Sequence, residues 1–181
     1  MKHPHGQILE GSVHALSYLI AMARAKPLRV WNHTWNPDWS PLDIGGSANI
    51  FCEMDNGVRC QLESSWAVQA TINGWGQEYL RADCEHGALV LDQGKIQFWK
   101  ETTHHAPTAT SLPLLPGECW GHAYLVDAFI SWISGQTNNH PTSLENNLQC
   151  MALLFAAVES GNQHGAVIDV QQLIEDSMHA V

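Results

Sequence analysis

Apolar residues change period in an orderly way along the chain. From Val13 they recur at Leu16, Leu19, Ile20 and Ala23, the spacing of one helix face, and Lys26-Pro27 predicts where that helix stops. Strand-like runs follow at Leu28–Trp35, Ala48–Met54, Val58–Trp66, Glu78–Cys84, Ala88–Leu91 and Lys95–Trp99, separated by Gly, Asn and Asp. The Thr-, Pro- and His-rich stretch 102–117 reads as an extended surface loop, and 36–46 as a second long one. Helical spacing returns over Gly121–Ser134, stopped by Gly135, and over Ser143–Ser160, with Ser143 as N-cap and Gly161 as stop; a short helix near Val170–Ser177 closes the chain. Strands grouped between helices, without regular alternation, predict an α+β fold: one largely antiparallel, open-faced sheet of about six strands with helices packed on one face.

The same pattern fixes a register. A two-residue Asn56-Gly57 loop would set Cys52 against Gln61 and Met54 against Arg59, apolar against polar. A three-residue loop over Asp55-Asn56-Gly57, with glycine in the left-handed conformation, instead pairs Met54 with Val58, Glu53 with Arg59, Cys52 with Cys60 and Ile50 with Leu62, and is the predicted register. One sheet face then collects Ile50, Cys52, Met54, Val58, Cys60, Leu62 and Trp66. The other carries Phe51, Glu53, Arg59, Gln61 and Glu63, with Tyr79, Arg81 and Asp83 on a later strand. The predicted helices cover one side only, and a face mixing aromatics with charge has the makeup of a protein interface, so a homodimer through the open sheet face is expected.

Composition narrows the function classes. At 181 residues, 1–181 is expected to form a single domain. A formal net charge of −10 disfavours nucleic acid and anionic lipid as partners. No apolar run approaches the roughly 18 residues that span a bilayer, and a basic-then-apolar leader pattern is absent, so a cytoplasmic location is expected. The five cysteines, none in Cys-x-x-Cys spacing, suit neither a disulfide framework nor a zinc site. His3, His5 and His14 invite a metal reading, but a frayed terminus accounts for the first two; His104-His105 falls in the polar loop, and no ligand spacing such as His-Glu-x-x-His occurs, so no metal site is expected.

Candidate chemistry concentrates near the start. Glu10 and His14 lie four apart, which stacks them on one face of a helix. On the residues alone they read as a polar pair at a helix N-terminus, where a carboxylate complements the dipole. Trp35, Asp38 and Trp39 stand where a strand opens into the first long loop; indole faces pack against sugar C–H groups and Asp38 can pair with hydroxyls, making this loop a second candidate for substrate contact.

The run Gly6-Gln7-Ile8-Leu9-Glu10-Gly11-Ser12-Val13-His14, followed in order by the Asp55-Asn56-Gly57 hairpin, Glu85-His86-Gly87-Ala88-Leu89-Val90-Leu91-Asp92 and Ala156-Ala157-Val158-Glu159-Ser160-Gly161, resembles the C-terminal, substrate-side half of the Gfo/Idh/MocA oxidoreductases. Glu10 stands where that family usually has Asp, and Ser17 where a further Asp is common. The resemblance implies that His14 and Glu10 are catalytic, with the histidine bonding a substrate hydroxyl or helping to move its proton. It further implies a sugar, polyol or related hydroxy compound as substrate, and NAD or NADP as cofactor of the full-length protein. Neither the Gly-x-Gly-x-x-Gly turn nor the family's Glu-Lys-Pro stretch occurs in this chain. The expectation is a partial chain that binds no cofactor by itself and is inactive alone. The rival expectation is a non-catalytic carbohydrate-binding or self-association module; a metal hydrolase built on the histidines is the third.

Overall fold

The computed structural model describes residues 4–69, 77–100, 108–116, 121–138, 140 and 142–179. Contacts divide the chain into two compact units, residues 1–67 with 141–181, and residues 68–140.

The first unit opens with a π-helical turn, Ile8–Ser12, running directly into helix α1, Val13–Ala23. Arg24, in the left-handed conformation with φ of 50°, ends that helix by donating its N–H to the carbonyl of Ile20 (2.9 Å). Helix α1 therefore stops before Lys26-Pro27, which instead lead into strand β1, Pro27–Trp35. Strands β2, Ser47–Met54, and β3, Arg59–Ser65, follow, and a two-residue strand β8, Ile168–Asp169, completes an antiparallel sheet in the order β3-β2-β1-β8. The register is the predicted one, with Ile50 opposite Leu62, Cys52 opposite Cys60 and Glu53 opposite Arg59. Gly57, at φ of 86°, donates to the Met54 carbonyl and Met54 N–H donates to Val58 (3.0 and 2.8 Å), the expected three-residue loop. Gly lacks the Cβ that makes such a conformation costly.

Helix α3, Leu144–Asn162, and helix α4, Val170–His179, pack with α1 on one face of this sheet. The core gathers Ile8, Leu16, Val30, Ile50, Met54, Leu153 and Val170, all at most 1% exposed. Gly161 lies inside α3 and does not stop it. A methyl there would come 2.7 Å from the His5 ring and 2.9 Å from Asn32 Nδ2, so this glycine permits close approach instead. The chain turns only after it, through His164 and Gly165 at φ of 55° and 88°.

The second unit is an antiparallel meander of β4, Leu80–Cys84, β5, Gly87–Asp92, β6, Lys95–Lys100, and β7, Thr108–Leu112, with helix α2, Gly121–Ile133. The α+β, antiparallel class is as expected; its strands are shared between two sheets of four, where a single sheet of about six was predicted. Two strands, β7 and β8, account for the higher strand count. Thr108–Leu112 lies between Pro107 and Pro113 in a Thr-rich stretch that reads as loop, yet alternating Thr suits a strand, and it pairs with Ile96–Lys100. Strand β8 is too short to leave a period. Residues 102–107 and 117 of that loop, His104 and His105 among them, and His3 lie outside the described residues.

Candidate functional site at one end of the first sheet

Glu10 sits in the π turn and His14 in the first turn of α1, both exposed. The π turn is wound around a buried glutamine. Gln7, 2% exposed, accepts a hydrogen bond from Ser12 Oγ through Oε1 (2.8 Å) and donates from Nε2 to Ser64 Oγ at the end of β3. Residues five apart share a face where bonding runs i to i+5, so Gln7 and Ser12 point inward together. Gly11 lies over this pair: a methyl on it would come 2.7 Å from Gln7 Nε2 and 3.4 Å from the Trp66 indole nitrogen. The turn carrying Glu10 is thus tied to the end of β3.

The segment leading into the turn is anchored equally firmly. His5 is buried, with Nε2 2.8 Å from Asn162 Oδ1 and Nδ1 3.3 Å from Thr34 Oγ1. A neutral ring protonated on Nε2 satisfies both, donating to Asn162 and accepting from Thr34. This corrects the frayed-terminus reading of His5: the imidazole bridges β1 and the end of α3. Around it, Asn32 donates from its backbone to Ser160 Oγ (2.8 Å) and from Nδ2 to the Ala157 carbonyl (3.0 Å) and Thr34 Oγ1 (2.8 Å), while Ser160 donates to the Ala166 carbonyl (2.6 Å). Gly45 lies so close that a methyl on it would fall 1.7 Å from the Pro4 carbonyl oxygen, and its own carbonyl accepts from Gln7 N–H (3.0 Å).

Loop 36–46 reaches the same end of the sheet. It is closed by Asn36 Nδ2 donating to the Leu42 carbonyl (2.6 Å) and by Trp66 N–H donating to Gly46 (2.7 Å). Trp35, the last residue of β1, stacks on His33 with centroids 5.9 Å apart at 28°. Asp38 and Trp39 follow it, both exposed, Trp39 to 59%. The two predicted groups therefore share one end of one sheet: Glu10 and His14 on the π turn and helix, and Trp35, Asp38 and Trp39 on the loop whose far arm holds Gly45 against residues 4–7. Gln7, Ser12 and Ser64 were missed in the sequence. Their one signal was two polar residues five apart inside an apolar run, a spacing belonging to neither an α-helix nor a strand.

Among the described residues strand β8 runs straight into helix α4, through Ile168-Asp169-Val170, and there the Asp169 carboxylate accepts from Gln172 N–H (2.9 Å), placing negative charge at the helix N-terminus. No group of three or more His, Cys, Asp or Glu among the described residues is placed to hold a metal ion, and no described helix is long and apolar enough to cross a membrane.

This architecture is the fold of one half of Gfo/Idh/MocA-type oxidoreductases. An Agrobacterium radiobacter oxidoreductase, solved with NAD+, L-tartaric acid and magnesium, superposes with a TM-score of 0.74 at 18% identity over 92% of this chain and 49% of its own. An NAD-binding oxidoreductase from Klebsiella pneumoniae gives 0.71 at 14% identity, over 88% of this chain and 49% of its own. UDP-N-acetylglucosamine 3-dehydrogenase from Acidithiobacillus ferrooxidans gives 0.70 at 12% identity, over 87% and 47%. In sequence, the chain is 29% identical to the uncharacterized protein y4oX of Sinorhizobium fredii over 97% of its own length and 49% of the relative's. The chain thus spans about half the length of the proteins it matches. No family model matches it.

Proposed function

We propose that this chain is the substrate-binding half of an NAD(P)-dependent oxidoreductase acting on a sugar, polyol or related hydroxy compound in the cytoplasm, with residues 1–181 serving as one substrate-binding and dimerisation domain. The observation that carries the reading is exposed Glu10 on a π turn held from beneath by Gln7, with exposed His14 in the first turn of the helix that follows, within a fold shared with NAD-binding oxidoreductases. NAD or NADP accepts the hydride in such reactions, and in this proposal it is held by residues outside this chain. The chain's own part is to orient the hydroxyl and manage its proton: His14 accepts a hydrogen bond from the substrate hydroxyl and draws off its proton, and Glu10 fixes the ring through a second hydroxyl. Trp35 and Trp39 offer flat faces to the C–H side of the substrate, and Asp38 an acceptor to its rim.

A dimer completes the proposal. On the sheet face turned away from the helices, Trp31 stacks on Phe51 with centroids 5.7 Å apart, and Glu53 bridges Arg29 and Arg59 at 3.5 and 3.3 Å. Aromatic and Arg side chains on the sheet face away from α1, α3 and α4 suit a symmetric interface between two copies. The binding test is titration of the chain with a panel of polyols and aldonic acids while backbone amide NMR shifts are followed. Saturable shifts centred on Glu10, His14 and Trp35–Trp39 are expected. Shifts confined to other parts of the chain, or none up to high millimolar ligand, would contradict the reading.

A further inference from the structure

We propose that Cys52 and Cys60 form a dithiol–disulfide couple, a site of reversible oxidation that takes a small-molecule disulfide of the glutathione type as its oxidant. The two residues are directly opposite each other on β2 and β3 and are free thiols in the structure. Met54 N–H bonds to Val58, so 54 and 58 form a hydrogen-bonded pair, and the alternation of an antiparallel ladder makes 52 and 60 another. Cα atoms of such a pair stand roughly 5.5 Å apart, inside the window of roughly 4.4–6.8 Å that a disulfide spans. The Cβ atoms must approach to roughly 3.5–4.5 Å, closer than hydrogen-bonded pairs usually hold them, so closure draws the strands together at this rung. A bond strained in this way is readily reduced, the property of a reversible couple as opposed to a structural staple.

Access is unequal, and that sets the order of events. β3 is an edge strand of its sheet and Cys60 is half-buried, whereas Cys52, on the inner strand β2, is 2% exposed. The hydrogen bond from Cys52 holds the Cys60 thiol below its ordinary range, against an opposing contribution from burial. The same pairing, together with burial, pushes Cys52 up. Cys60 is therefore the attacking thiolate. It displaces one thiolate from the small disulfide, forming a mixed disulfide on its own Sγ. Cys52 then gives up its proton to solvent, and its thiolate attacks Cys60 Sγ and expels the second small thiolate. Two protein thiols are oxidised, one small disulfide is reduced to two thiols, and the two protons leave with them.

The test uses the native chain incubated with oxidised glutathione, then alkylated and digested with trypsin. Cleavage after Arg29, Arg59 and Arg81 places Cys52 and Cys60 on separate peptides, 30–59 and 60–81, that contain no other cysteine. Loss of both free thiols and recovery of the two peptides joined, with release by reduced glutathione, is expected. Cys52→Ala should trap glutathione on Cys60, and Cys60→Ala should leave Cys52 unmodified. Wild-type protein that keeps both thiols free, or that stops at a glutathione adduct on Cys60, would overturn the proposal, whether or not the variants fold.

Discussion

Gln7 shows how a single side chain sets the site. Both ends of its amide are used, on Ser12, which is fully buried, and on half-buried Ser64. Gln7→Ala would orphan the buried Ser12 hydroxyl as well as open a gap, and a loss of about 1–3 kcal/mol in urea unfolding is expected. Hydrogen exchange should quicken over residues 8–14 in particular, since the π turn loses its support. Gly45→Ala drives a methyl into the Pro4 carbonyl, a backbone contact that no rotamer relieves, and a loss on the order of 3 kcal/mol is expected by the same measurement. These residues mark the limit of legibility at this scale. Glu10, His14, Trp35, Asp38 and Trp39 stood out because charge and indole at an element boundary are conspicuous. Gln7 and Asn32 did not, and the bridging role of His5 did not, because a buried polar residue is recognised only by partners distant in sequence: Asn162 lies at the far end of the chain from His5.

Elements were legible where local rules decide them. The Asp55–Gly57 hairpin could be placed to the residue, since only one register puts apolar side chains together and only glycine suits the loop's last position. Gly57→Ala keeps open space around the new methyl but retains a positive φ, so a cost of about 1 kcal/mol is expected in urea unfolding, with Gly57→Asn costing less. Where tertiary contact decides, local signals misled. Gly161 looked like a helix stop and proved to be the point where His5 and Asn32 approach α3. The π turn likewise has no propensity signature; it exists because Gln7 and Ser12 find each other and β3. Strand β7 was hidden by the prolines on either side of it, Pro107 and Pro113, and β8 by its brevity.

At the scale of the molecule, the α+β antiparallel class followed from the order of periods, whereas the partition into two sheets of four depended on which strands find which partners. The face of the first sheet away from α1, α3 and α4, bearing Trp31, Phe51, Arg29, Glu53 and Arg59, leads to an expected dimer mass in light scattering at micromolar concentration. Phe51→Glu, which places charge in the middle of that face, is expected to shift the protein toward monomer without unfolding it; a monomer mass for the wild type would contradict the dimer. The claim on which the functional account rests is that His14 handles the substrate proton. The most direct measurement is steady-state turnover of the proposed longer protein that carries a nucleotide-binding half, followed by NAD(P)H absorbance with a sugar or polyol substrate, for wild type and His14→Ala. The account predicts a fall in kcat of about 100-fold or more with little change in KM, as when a proton-transfer group is removed from the transition state. Unchanged kcat, or a rise in KM alone, would contradict it.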